Sequence, residues 1–223
     1  FINQFVIPEG SRSMKYFVNI PDNSLSSFYV SYQVDEKGYV KNGYYSSTNT
    51  TPYEKNASKV YLGAQNNSNV NLTIIKGKTV SGKVSLPESI TAPKEGIDVE
   101  VCANVFYGPD ALLNIQNNNE ADLKISSNVV ITENSNSADY IITVPQDGFF
   151  YIDYIVEEKD LVAHGYYSGS KTSTVYYERK STLSPSSQDL KYFDFELLKG
   201  FKVSCSVSLP SGLTAADDIP LLI

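Results

Sequence analysis

Apolar and polar residues alternate in run after run of this chain. Thr79–Leu86 carries Val80, Gly82, Val84 and Leu86 on one face and Thr79, Ser81, Lys83 and Ser85 on the other. Ile97–Val105 continues the pattern with Ile97, Val99, Val101, Ala103 and Val105. Tyr140, Ile142 and Val144 follow, then Phe150, Ile152, Tyr154 and Val156, then Phe193, Phe195 and Leu197. Side chains alternate sides along a strand, so a period of two predicts half-buried antiparallel strands. Strands are expected at Thr79–Leu86, Ile97–Phe106, Asn128–Ile131, Asp139–Val144, Phe149–Val156, Leu161–Tyr167, Thr174–Tyr177 and Asp189–Leu198. Turn chemistry separates runs of this kind: Pro8-Glu9-Gly10, Pro21-Asp22-Asn23, Lys76-Gly77, Pro145-Gln146-Asp147-Gly148, Ser211-Gly212. Only Asp110–Leu113 and Ala121–Ile125 read as short helical candidates. Closely spaced strands between turns predict an all-β chain built as an antiparallel β-sandwich.

The chain also says the same thing twice. Gly43-Tyr44-Tyr45-Ser46 returns 122 positions later as Gly165-Tyr166-Tyr167-Ser168. Lys76-Gly77 returns as Lys199-Gly200, and Val84-Ser85-Leu86-Pro87 as Val207-Ser208-Leu209-Pro210, both 123 positions on. Ile7 through Pro21 matches Ile131 through Pro145 at a shift of 124. A period of about 120 residues is domain-sized rather than solenoid-sized. The expected organisation is therefore tandem sandwiches. Residues 1–77 form a module lacking its first strands, and residues 78–200 form a complete module. Residues 201–223 supply the opening strands of a further one, or strands that complete residues 1–77 of a neighbouring subunit. In the second case the inward Val203, Cys205, Val207 and Leu209 would fill the groove left by the missing counterparts of Val80, Gly82, Val84 and Leu86. Such head-to-tail strand addition does not close and builds a fibre.

Composition narrows the classes. Hydrophobic residues make up 41% of the 223, enough for real cores. Seventeen Tyr and ten Phe with no Trp favour pleated surfaces. Eighteen Lys and Arg against 25 Asp and Glu give a net charge of −7, without the basic patch that a nucleic acid or anionic membrane would require. No apolar run is long enough for a transmembrane helix. The chain opens at Phe1 and stops at Ile223, and is expected to be a segment of something longer.

The strand pattern resembles modules of the carboxypeptidase-regulatory-like and Cna-B-like type, with a prealbumin-like or immunoglobulin-like sandwich. The residues that carry the resemblance are Gly77-Lys78-Thr79-Val80-Ser81-Gly82-Lys83-Val84-Ser85-Leu86-Pro87, Gly96-Ile97-Asp98-Val99, Val144-Pro145-Gln146-Asp147-Gly148-Phe149-Phe150-Tyr151-Ile152 and Phe195-Glu196-Leu197-Leu198-Lys199-Gly200. The resemblance implies a stalk, adhesive arm or accessory domain of a secreted or cell-wall protein of bacteria. Its Cna-B-like members often carry a Lys–Asn/Asp crosslink beside a buried acid. Here Lys83, Asp153, Asp194 and Glu196 all fall on the faces opposite the apolar runs, so no crosslink is expected.

Few residues offer chemistry. His164 is the single histidine, and its counterpart Asn42 is polar; it reads as a solvated residue at a strand end. Cys102 and Cys205 do not occupy matching repeat positions, since Cys205 stands where the earlier copy has Gly82, and they read as small hydrophobic residues rather than a bridge. Calcium needs only oxygen ligands, and Asn119, Glu120 and Asp122 are the best candidates, with Asp217-Asp218 next. No other cofactor is expected. Tyr44, Tyr45, Tyr166 and Tyr167 read either as amphipathic strand fillers or as rings for stacking sugars, one of each pair core and the other exposed. The expected function is a non-catalytic structural or adhesive repeat region, a filament subunit assembled by strand exchange being one form of it. The alternative is a carbohydrate-binding or accessory module of an extracellular polysaccharide-acting protein. Expected partners are adjacent modules, identical subunits, or a glycan, host or cell-wall ligand.

Overall fold

The structure, a computed structural model, describes residues 2–20, 27–47, 49–61, 70–158, 160–183, 189–201 and 206–212. In chain order the strands are β1 (Ser27–Phe28), β2 (Ser31–Gln33), β3 (Asn42–Ser46), β4 (Asn49–Thr51), β5 (Val60–Tyr61), β6 (Lys78–Ser85), β7 (Ile97–Phe106), β8 (Leu123–Ile131), β9 (Ser137–Val144), β10 (Phe149–Val156), β11 (His164–Gly169), β12 (Thr172–Thr174) and β13 (Phe195–Glu196). One short helix, α1 (Ala111–Gln116), and two 3₁₀ turns, Glu54–Asn56 and Tyr177–Arg179, complete the elements. The chain is all-β in class, as the period-two runs predict.

Two sheets enclose the main core. One has five strands in the order β12-β11-β10-β7-β8, the other three in the order β13-β6-β9. Val80, Val84, Ile142 and Val144 from the smaller sheet join Val99, Val101, Val105, Phe150, Ile152 and Tyr154 from the larger in a single buried cluster. These are the inward faces read from the alternation. Lys83 is exposed, on the outward face assigned to it.

Three expectations change. Ala121–Ile125 is not helical, because Leu123 through Ile131 pairs with Ile97 through Val105 of β7. Thr174–Tyr177 is not a continuous strand: the Thr174 hydroxyl accepts from the Tyr176 N–H at 3.1 Å, an ST turn that ends β12 and starts a 3₁₀ turn. Asp189–Leu198 contributes only the two residues of β13, and these run parallel to β6 rather than antiparallel. Tyr192, at φ 66°, breaks the extended backbone of that stretch. Its remaining groups still serve β6: Leu190 N–H donates to Thr79 O, and the Asp189 and Asp194 carboxylates accept from the N–H groups of Thr79 and Lys83.

Contacts recur with the sequence. In β10 and β11, Tyr154 stands opposite Gly165; in β2 and β3, Tyr32 stands opposite Gly43. Each tyrosine ring lies across its glycine. A Cβ at 165 would stand 2.6 Å from the Tyr154 hydroxyl, and one at 43 would stand 2.2 Å from the Tyr32 ring. Each hydroxyl accepts a backbone N–H from the residue before Lys-Gly, Leu198 at 3.0 Å and Ile75 at 2.8 Å. Tyr140 donates to Phe193 O, and Tyr16 donates to Val70 O. Val162 N–H donates to Leu198 O and Val40 N–H to Ile75 O, both at 2.8 Å. The two 3₁₀ turns also fall 123 positions apart.

Gly165→Ala is expected to cost about 1–3 kcal/mol, because the ring cannot yield without giving up its hydrogen bond. Tyr154→Phe keeps the ring, leaves the Leu198 N–H without its acceptor, and should cost about 1–2 kcal/mol. Urea unfolding checks both; a Tyr154→Phe variant as stable as its parent would remove the hydroxyl from this account.

Candidate functional site

The five-stranded sheet has a second face, turned away from the core. Register places Ser126, Cys102, Asp153, Tyr166 and Thr174 in one row across β8, β7, β10, β11 and β12. Lys124, Asn104 and Tyr151 form the row on one side, and Asn128, Glu100, Ile155 and His164 the row on the other. This is the polar face of the alternation. Its centre is nevertheless covered, with Asn104 and Asp153 each only 7% exposed and Cys102 fully buried.

The cover comes from α1 and the second 3₁₀ turn. Ala111 and Ile115 bury against Phe106 and Tyr151. The rings of Tyr151, Tyr166 and Tyr177 meet edge to face, with centroids 5.4–5.9 Å apart. The Tyr177 hydroxyl donates to Ile115 O at 2.7 Å, tying the turn to the end of α1. Lys180 Nζ lies 3.1 Å from the Tyr177 ring centroid and donates to the carbonyls of Ile115 and Tyr177.

His164 has a partner that sequence did not disclose: its Nε2 lies 3.0 Å from Asp153 Oδ2. Asp153 is thus on the face assigned to it, but buried rather than solvated. Its other oxygen, Oδ1, and Asn104 Nδ2 are buried without a hydrogen-bond partner. Cys102 is a free thiol whose pKa burial, reinforced by neighbouring Asp153, pushes up to about 12. It is protonated at neutral pH and is no thiolate nucleophile. Cys205 lies outside the described residues.

Of the tyrosines singled out from sequence, Tyr167 is core, 8% exposed, while Tyr44, Tyr45 and Tyr166 are half-buried. Tyr166 is hemmed by His164, Tyr151 and Tyr177 rather than open to solvent. Val203 lies outside the described residues; Val207 and Leu209 are exposed, at 63% and 42%. A Cβ at Gly82 would stand 2.3 Å from Phe193 O, so the strand-exchange register would place the Cys205 side chain where β6 tolerates none. A groove of about 760 Å³ between Ile90–Ala92 and Glu133–Asn136 shares no residue with the outward face.

In the loop that holds the calcium candidates, Asp122 and Asn119 are engaged with protein groups. Asp122 Oδ1 pairs with Lys55 Nζ, and Oδ2 accepts from the Tyr107 N–H at 2.7 Å. Asn119 Nδ2 donates to Asn114 Oδ1. Among the described residues no group of three or more His, Cys, Asp or Glu side chains could hold a metal ion. Beside Asp122, Tyr53 is 1% exposed, stacks on Tyr107 with centroids 4.5 Å apart, and directs its hydroxyl at Asp147 O at 3.4 Å. Burial, with Asp147 and Asp122 nearby, raises its phenol far above the ordinary range. Gly148, at φ 96°, makes the tight turn there: a Cβ would stand 2.5 Å from Phe106 O.

No protein-family model, no curated protein and no solved structure matches the chain. Among the described residues no helix is long and apolar enough to cross a membrane.

Lys180 supplies a pH test. Desolvation lowers its pKa to about 8, with Glu178 opposing. The folded chain therefore binds fewer protons than the unfolded one between about 8 and the unperturbed lysine value of ~10.4. Stability from this group should rise across that window, and its strain should be fully present below it. The ¹³Cε shift of Lys180 should titrate near 8; a midpoint at the unperturbed value would show the ammonium to be solvated.

Proposed function

We propose that this chain is a non-catalytic structural or adhesive repeat region of a secreted or cell-surface bacterial protein, built from tandem prealbumin-like or immunoglobulin-like modules. The observation that carries the reading is the joint made by Tyr53. Residues of the first sequence copy recur in the second at the same hydrogen bonds, which supports a duplicated framework. Tyr53 then couples the two. It leaves the 3₁₀ turn of the first copy and joins the buried core cluster of residues 78–200, between Tyr107 and the Asp147-Gly148 turn. The Lys55–Asp122 pair lies at the rim of the same contact.

A buried aromatic anchor ringed by polar pairs is how a joint is stiffened. A stalk or arm needs such stiffness, because a flexible linker transmits neither position nor load. The extracellular setting rests on the resemblance to modules of surface proteins. Assembly by strand exchange remains a variant of this reading, and the steric demand at Gly82 weighs against it in the expected register.

The joint should show as common tumbling. Residual dipolar couplings from residues 27–61 and 78–200 of the full chain should fit one alignment tensor. Tyr53→Ala should split them into two while leaving the amide shifts of β7 and β10 nearly unchanged. Separate tensors in the unmutated chain would remove the basis for a stiff arm.

A further inference from the structure

We propose that the outward face of the five-stranded sheet is a seat for a neutral pyranose residue of a glycan, held by Asn104 and Asp153 beside the rings of Tyr151 and Tyr166. Asn104 Nδ2 is a donor and Asp153 Oδ1 an acceptor; both are buried, and neither has a partner. Leaving such groups unmade is costly, more so for a charged one. A hydroxyl group is donor and acceptor together, so two hydroxyls of one ring answer both needs. The two side chains are diagonal neighbours on adjacent strands, roughly 7 Å apart, a span that one sugar ring bridges.

The surroundings suit the same ligand. The rings of Tyr151 and Tyr166, uncovered once Tyr177 moves aside, offer apolar surface to the C–H face of a pyranose, the common arrangement of a few polar groups set among rings. The group the ligand must meet is the Asp153 carboxylate itself, which repels an acidic sugar, while the Lys124 ammonium in the next row is already drawn to Cys102, Glu100 and Asp153.

The first copy indicates that the framework does not require this chemistry. Taking the Tyr–Gly pairing as the register, Asp153 and His164 correspond to Ser31 and Asn42, and the 3₁₀ turns align Tyr177 and Lys180 with Glu54 and Ala57. Contacts that hold the fold recur, whereas this group of side chains occurs once. Because the unpartnered atoms are out of contact with solvent, the sugar enters only if a covering element moves, and that movement is assigned to the Tyr177–Arg179 turn, which packs on Tyr151 and Tyr166. That turn is short and is held to α1 through Ile115 O.

The test is a printed array of neutral and acidic glycans probed with the full chain at neutral pH. The strongest neutral glycan is then titrated into ¹⁵N-labelled chain while the Asn104 side-chain amide is followed. The expected result is binding to neutral glycans, a shifted Asn104 amide, and affinity reduced roughly tenfold or more in Asp153→Asn and in Asn104→Ala. Tyr44→Ala, at the first-copy counterpart of Tyr166, should change affinity by less than about twofold. Asp153→Asn is isosteric, and a thermal melt verifies that each variant is folded; the amide shift in the unmutated chain stands without them. No neutral glycan above background, a preference for acidic glycans, an unmoved Asn104 amide, or affinity unchanged in both variants would each overturn the proposal.

Discussion

A tyrosine ring laid across a glycine holds each half of this chain together. The ring of Tyr154 can lie flat there because Gly165, opposite it, has no side chain. It then stacks on Phe195, at 5.8 Å and 14°, and so reaches from the large sheet to the strand that returns beside β6. Its hydroxyl takes the Leu198 N–H, a donor that β13 has already left behind. One residue thus fixes a strand pair, a layer of the core and the closing segment. Burial of an aromatic side chain contributes about 2–3 kcal/mol and the hydrogen bond about 1, which is large beside the net stability of a domain.

Much of this was legible in the order of residues. Alternation identified the inward faces of β6, β7, β9 and β10, because a strand that is wet on one side must alternate. The repeated Gly-Tyr-Tyr drew attention to its tyrosines, although the position that matters most to the fold is the glycine before them. What escaped was non-local. Asp153 lies on the face predicted to be polar, yet it is buried, on a face where α1 and Tyr177 pack against Tyr151 from distant parts of the chain. The ion pair of Asp122 escaped as well, because nothing near it in sequence reveals Lys55. The parallel pairing of β13 was equally hidden, since period two is the same for either strand direction.

The two copies separate what the fold requires from what it permits. Tyrosine over glycine, the carbonyl acceptors for Tyr16 and Tyr140, and the paired 3₁₀ turns occur in both. The outward-face residues Asp153, His164, Tyr177 and Lys180 belong to the second alone. Recurrent contacts beside side chains that occur once fit the usual division of labour in folds, where the frame is general and what is particular is local.

The Tyr53 seat carries a geometric consequence. It joins unlike surfaces: a 3₁₀ turn on one side, and on the other the turn at Asp147 with the loop around Tyr107. A contact between unlike surfaces has a direction, and applying it again repeats one fixed rotation and one fixed advance. Any array extended through this joint would therefore wind as a helix about its long axis. The counterpart of Tyr53 is Tyr176, next to its own 3₁₀ turn and 55% exposed. Outward faces like that of β7, β10 and β11 would then be displayed along such an array at a regular angular interval.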